Sequence, residues 1–201
     1  MPFADIVAPV LGTGLFITRI GCWCAGCDFG KPLGEGAPAL LARLGTFPEW
    51  DYSAHDMVRA VQINGSPAWR LHSESDVAAV ADHARTMHAS LPVHPTQLYE
   101  SLAGLVLFGV AFWVMKNRTW KGQAWLAVCI LYPVWRFIVE FWRDDPERGF
   151  ALGFSTSQLV SMALLPASLF LWRKFKTHQE EHGLITIPRS AQDPDWLAQD
   201  A

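Results

Sequence analysis

The stretch that decides the fold is Gly122 to Arg143, GQAWLAVCILYPVWRFIVEFWR. It is apolar and long enough to cross a bilayer, whose hydrocarbon core of about 30 Å needs about 20 mostly apolar residues in a helix. Yet it carries Arg136, Glu140 and Arg143. The spacing i, i+4, i+7 predicts that all three share one helix face. A charge at membrane depth costs about 3 kcal/mol or more, so such residues face a bundle interior or an aqueous cavity, and a functional site is the default reading. The bland reading is a structural Arg136–Glu140 pair with Arg143 reaching the outer headgroups. Three aligned charges exceed what one structural pair needs, which favours the functional reading.

Working outward, further apolar runs appear at 149–172, 98–115 and 6–20. The run at 149–172 holds no charged residue and is the clearest. The run at 6–20 is short and glycine-rich, with Asp5 before it and Arg19 near its end, and is the weakest. The pattern predicts an all-α polytopic transmembrane bundle of about four spans, near 6–20, 98–115, 122–142 and 149–172. Domain organisation follows: a membrane domain over 1–172, including an outer loop region over 29–93, then a polar cytoplasmic tail over 173–201. Within the outer region, Asp76 to Ala89 reads as a short helix capped by Asp76, with an apolar stripe of Val77, Val80, Ala81 and Ala84. Asn64-Gly65-Ser66-Pro67 reads as a turn. The tail from Thr177 is expected to extend loosely.

Orientation follows from basic residues in short connections. Lys116, Arg118 and Lys121 form one basic segment, and Arg173, Lys174 and Lys176 another. Both are expected on the cytoplasmic side. The acidic segment 143–148, with Asp144, Asp145 and Glu147, is expected outside. No basic segment precedes an apolar run at the N-terminus, so no signal peptide is expected.

Composition agrees. The 201 residues are 51% hydrophobic, and mean hydropathy is +0.15. A soluble domain of this size has no need of such apolarity. Ten tryptophans, several near the ends of apolar runs, suit an interfacial aromatic belt. Trp50 and Trp69 lie in polar sequence and read as core filler. The formal net charge of −3 argues against nucleic acid as a partner.

The predicted topology gathers Arg19, His94, Glu100, Arg136, Glu140 and Arg143 at the outer leaflet. His94, Gln97, Tyr99 and Glu100 cluster where a helix should start, with Pro95 suited to its first turn. Arginines in a partly dry, outward-facing cavity suit a phosphate clamp, because guanidinium pairs with phosphate through two parallel bonds. A phospholipid headgroup is the phosphate at hand.

Three of the four cysteines lie in Cys22-Trp23-Cys24-Ala25-Gly26-Cys27. This spacing permits a metal site lacking a fourth ligand, a Cys22–Cys27 disulfide, or simply small residues at a helix contact. Cys129 reads as a small hydrophobe.

Four ordered motifs resemble one family, the prolipoprotein diacylglyceryl transferases. His94-Pro95-Thr96-Gln97-Leu98-Tyr99-Glu100 resembles its HP-[ST]-QLYE motif. Arg136-Phe137-Ile138-Val139-Glu140-Phe141-Trp142-Arg143 resembles RFxxEFxR. Arg19-Ile20-Gly21 through Phe29-Gly30 resembles GRIGNFxNGExxG, with Cys22 and Cys27 where Asn and Glu are usual. Gly153-Phe154-Ser155 with Gln158 resembles GxSxxQ at the start of the last helix. The resemblance runs from about Asp5 to Trp172. It implies transfer of a diacylglyceryl group from phosphatidylglycerol to the lipobox cysteine of a prolipoprotein, in the bacterial inner (plasma) membrane, with the active side facing the periplasm. It implies catalytic roles for Arg19, His94, Glu100, Arg136 and Glu140, and substrate contacts for Gly30, Gln97, Tyr99, Arg143, Ser155 and Gln158. The partners implied are phosphatidylglycerol, a lipobox peptide and the lipid bilayer. No metal or organic cofactor is implied. Members also have helices before the Arg19 motif and a His-Gly-Gly motif, which is not found here. The alternative expectation is therefore a chain that binds lipid without catalysis or that works with a second chain.

Overall fold

The computed structural model describes residues 2–49, 65–144, 149–151 and 153–184. Seven helices are found among them: α1 (Pro2–Ala25), α2 (Ala39–Leu44), α3 (Pro67–Ser73), α4 (Ala78–Met87), α5 (Thr96–Asn117), α6 (Gln123–Val139) and α7 (Thr156–Glu181). A short antiparallel pair, β1 (Phe150–Ala151) and β2 (Phe154–Ser155), precedes α7. Three helical stretches are long and apolar enough to cross a membrane: Phe3–Ala25, Thr96–Asn117 and Gln123–Trp142. The chain is thus a mostly helical membrane protein.

The weakest apolar run in the sequence forms one of the longest helices. α1 continues past Arg19 and closes on Gly26, at φ 70. The Gly26 N–H donates to the Trp23 carbonyl and the Cys27 N–H to the Cys22 carbonyl, both at 3.2 Å. This paired closure needs a left-handed residue, which glycine supplies without steric cost. The clearest run behaves differently. Phe150–Ala151 pairs with Phe154–Ser155, and helix begins only at Thr156. The polar start of α7 and its basic end lower its hydropathy, and it is not among the three stretches above. Thr177 to Glu181, expected to be loose tail, continues α7.

The chain divides into two compact units. The first comprises residues 1–17, 102–140 and 150–201. Its buried centre is small: Ala8, Ala111, Val114, Ala124, Ala127 and Val128, with Val110, Met115, Trp125 and Trp172 packed against them. Large apolar side chains such as Phe112, Trp113, Leu131, Val160 and Phe170 point outward. Small residues within and large ones without is the pattern of helices packing in lipid, where tails solvate the apolar exterior. Gly12 of α1 serves this packing. A Cβ at Gly12 would lie 2.5 Å from the Phe108 amide nitrogen and 2.8 Å from the Gly104 carbonyl oxygen, so α1 and α5 meet there backbone to backbone.

At one end of this unit, the buried Asp5 carboxylate accepts from the amides of Gly122, Ala124 and Trp125 and from Arg118 Nη1. It caps the start of α6 from α1. Gln179 of α7 joins the same end, accepting from the Lys121 N–H at 2.9 Å and donating to the Lys121 carbonyl at 3.0 Å. The segment 116–121, the start of α1 and the end of α7 therefore share one end.

The second unit comprises residues 18–101 and 141–149. Its core is Phe29, Phe47, Ala68 and Val93, covered by Trp23 and Leu71. Single antiparallel bridges pair Gly30 with Arg143, Pro32 with Val93 and Pro48 with Ala89. The expected turn at 64–67 is a helix entry: Gly65 has φ 81, Ser66 caps α3 through the Trp69 N–H, and Pro67 opens the helix. Asn64 lies outside the described residues, as do Trp50, Asp145 and Glu147. In α4 the cap position is Val77, with no side-chain bond, so Asp76 does not cap as expected. Val77 is exposed, and Ala81 and Ala84 alone of the expected stripe are buried.

Candidate functional site

The first turn of α5 pins the segment that follows α1. Thr96 Oγ1 donates to the Asp28 carbonyl and Gln97 Nε2 to the Cys27 carbonyl, each at 2.6 Å. Gln97 is fully buried, and its Oε1 meets no hydrogen-bond partner among the described residues. Pro95 stands just ahead of the helix, where its carbonyl accepts from the Leu98 N–H at 2.9 Å. The His94 backbone then pairs with residues 30 and 31: the Gly30 N–H donates to the His94 carbonyl and the His94 N–H to the Lys31 carbonyl, both at 2.9 Å. On the other side, the Lys31 N–H donates to the Trp142 carbonyl at 2.7 Å. Gly30 is threaded between the two. A Cβ there would sit 2.5 Å from the Trp142 carbonyl oxygen and 2.7 Å from His94 Cβ, so only glycine fits.

This frame brings four charges together. Arg19 pairs with Asp28 through Nη1 and with Glu100 through Nε. Arg143 Nη2 donates to Asp28 Oδ1 at 2.6 Å, and its Nη1 lies 3.8 Å from Glu100 Oε1. Two guanidinium groups and two carboxylates thus alternate in a closed ring. Arg19 can stay helical at membrane depth because both its partners are supplied here. Burial opposes ionisation of Asp28, but Arg143 and Arg19 together outweigh it and hold the carboxyl below its ordinary range.

Asp28 was not among the expected site residues. Its place directly after the cysteine cluster was visible, but the family motif leaves that position unspecified. Its φ of 56 is uncommon for a residue with a side chain, though Asp tolerates it. Thr96 was likewise quoted only as part of a motif.

The expectation that Arg136, Glu140 and Arg143 share one helix face is corrected. α6 ends at Val139, and Glu140 to Trp142 form a single 3₁₀ turn. Arg143 then leaves the helix and pairs with Gly30. Arg136 and Glu140 do keep their i, i+4 pairing, with Arg136 Nη2 at 3.2 Å from Glu140 Oε2. The same nitrogen donates to Ser157 Oγ of α7 at 3.2 Å. These three belong to the first unit and the four-charge ring to the second.

His94 Nδ1 lies 3.2 Å from the Tyr99 hydroxyl, with the rings edge to face. Burial lowers the His94 pKa, which favours the neutral imidazole. Ser155 and Gln158 form a reciprocal helix cap: the Gln158 N–H donates to Ser155 Oγ, and the Ser155 N–H donates to Gln158 Oε1. Their polar groups are spent on starting α7.

The four cysteines are unbridged. Cys22 and Cys27 sulfurs and an Asp28 oxygen lie within 4.8 Å of one another, close enough together to be a candidate metal site. Both Asp28 oxygens already face arginines, so a cation would compete with two guanidinium groups. Burial, reinforced by Cys22, pushes the Cys27 thiol up to about 12. The thiol therefore stays protonated at neutral pH.

Comparison with known proteins adds a second line. A family model described as "Prolipoprotein diacylglyceryl transferase" matches residues 1–173. A phosphatidylglycerol–prolipoprotein diacylglyceryl transferase of Paraburkholderia xenovorans is 31% identical over 184 residues, covering 88% of this chain and 55% of that protein. A protein of the same name from Xylella fastidiosa (strain M23) is 30% identical over 175 residues, covering 84% and 52%. One from Clostridium tetani is 26% identical over 168 residues, covering 84% and 51%. The chain spans about half the length of these curated relatives.

Proposed function

Since the chain belongs to the prolipoprotein diacylglyceryl transferase family, we propose that it moves a diacylglyceryl group from phosphatidylglycerol to the lipobox cysteine thiol of a prolipoprotein. A carbon–sulfur bond forms at the glyceryl carbon, and the carbon–oxygen bond to phosphate breaks. Glycerol phosphate leaves, and the thiol proton passes to a base. Two demands follow: the leaving phosphate needs positive charge held in place, and the thiol needs a proton acceptor.

The observation that carries the reading is the convergence of Arg19 and Arg143 on one carboxylate, that of Asp28. Two guanidinium groups aimed at one anion form a site for a phosphate. Glu100, buried behind them, holds their orientation. Arg136, oriented by Glu140 and Ser157, is a further cation on which transfer depends. His94, favoured neutral by burial, accepts the thiol proton, with Tyr99 setting its ring orientation. Gly30 and Gln97 act by positioning the segment that carries Asp28. Ser155 and Gln158 act by setting where α7 begins. The membrane is the bacterial inner membrane, with this chemistry on its periplasmic side.

The test is transfer itself. The chain, reconstituted in phosphatidylglycerol vesicles, is given a lipobox peptide, and the peptide cysteine is examined by mass spectrometry. A diacylglyceryl mass gain is expected, together with release of glycerol phosphate. A folded chain that gives neither overturns the reading.

A further inference from the structure

The ring of four charges is closed by two carboxylates of unlike standing. Glu100 is almost wholly enclosed, its side chain 3% exposed, whereas that of Asp28 is 31% exposed. Asp28 presents one oxygen to each arginine: Oδ2 to Arg19 and Oδ1 to Arg143. That is the contact two oxygens of one phosphate would make with the same pair. The backbone of Asp28 is held independently of its side chain, since its carbonyl accepts from Thr96 Oγ1. The carboxylate can therefore swing away without moving the segment.

We propose that Asp28 is an internal competitor for the anion-binding face of Arg19 and Arg143, and that a phosphate-bearing ligand enters by displacing its carboxylate. This rests on the phosphate-binding reading of the arginine pair given above. Charge balance then sets the preferred ligand. A phosphate diester carries one negative charge and replaces that of the Asp28 carboxylate one for one. A phosphate monoester, whose second pKa is about 6, carries nearly two at neutral pH and leaves an excess. Asp28 therefore admits a diester and, on returning, expels the monoester formed when the ester bond breaks.

The test uses the full chain in phosphatidylcholine nanodiscs, titrated with soluble glycerol phosphate and with short-chain phosphatidylglycerol. Two variants are compared with the unaltered chain. Asp28→Asn keeps the shape without the charge, and Asp28→Gly removes the side chain while suiting the positive φ. In both, glycerol phosphate should bind about tenfold more tightly, the effect of about 1.4 kcal/mol, with a smaller gain for the lipid. Binding to the unaltered chain with no gain in either folded variant overturns the competitor and leaves the clamp standing. A larger gain for the lipid than for glycerol phosphate overturns the proposed selection for diester. Failure of both ligands to bind any of the three chains overturns the clamp itself.

Discussion

Asp5→Ala should destabilise the first unit more than any other single removal of a surface-forming or charged group in it. The carboxylate is fully buried. Its Oδ1 accepts from the Ala124 and Trp125 amides at 2.9 and 3.2 Å, and its Oδ2 from the Gly122 amide at 2.8 Å and from Arg118 at 3.0 Å. These amides open α6, where no intrahelical acceptor exists for them. Removing the carboxylate leaves three donors unsatisfied beside Ala8 and Ala124 of the apolar core. At about 1–3 kcal/mol for each such donor, the loss is about 3–9 kcal/mol. Asp5→Asn should fall between, because its amide oxygen keeps two of the bonds while its NH₂ meets two donors. Tryptophan fluorescence during titration from mild detergent into dodecyl sulfate reports the unfolding free energy. Hydrogen exchange reports the three amides directly. A loss under about 1 kcal/mol for Asp5→Ala, or a larger loss with unchanged protection of residues 122, 124 and 125, would refute the capping argument.

Arg136→Ala should lower transfer by about a hundredfold or more while leaving membrane insertion intact. Arg136→Lys should also be impaired, since a single amine cannot make the bidentate contact of a guanidinium with a phosphate; full turnover of Arg136→Lys in the vesicle assay would refute this. Gly30→Ala should abolish transfer, because its Cβ meets backbone on one side and His94 on the other; an unchanged rate and melting temperature would show that the threading tolerates a side chain. Stability should fall with acidification through His72. Burial lowers its pKa, with Asp144 opposing and His83 adding, and its Nδ1 accepts from the Leu91 N–H at 3.1 Å. The unfolded chain then takes up the proton first, so this contribution is complete above a pH of about 6.5 and declines below it. Melting curves at descending pH should show the decline, and His72→Asn should flatten it; a flat curve for the unaltered chain would refute the assignment.

The long helices were legible because membrane length and apolarity are local properties. Their ends were not. Arg19 reads as a helix stop until Asp28 and Glu100 are known to be waiting for it. Residues 149–155 read as span because nothing in an uncharged run reveals that Gly153 takes φ 81 in a turn and that Ser155 starts the helix. The face shared by Arg136, Glu140 and Arg143 failed for a related reason: periodicity assumes that the helix continues, and here a pairing with Gly30 takes Arg143 away. Glu140, whose work is local, kept the Arg136 partner expected of it.

What the sequence hid most completely are its two decisive aspartates. Asp5 looks like an acid ahead of a weak span, and Asp28 like a polar residue after a cysteine cluster. Each acquires meaning only from donors brought in from distant parts of the chain: α6 for Asp5, and Arg143 for Asp28. They also differ in a way that matters for function. Asp5 is enclosed and meets fixed amides, so its bonds are structural and exchanging them for another anion would expose an apolar core. Asp28 is partly open and meets two guanidinium groups, which bind carboxylate and phosphate alike. A buried charge is tolerated in a membrane protein only with a partner. On the proposed reading, recognition of an anion by Arg19 and Arg143 is therefore an exchange of partners rather than the filling of an empty clamp, and the residue that makes the exchange possible is the partly open member of the ring.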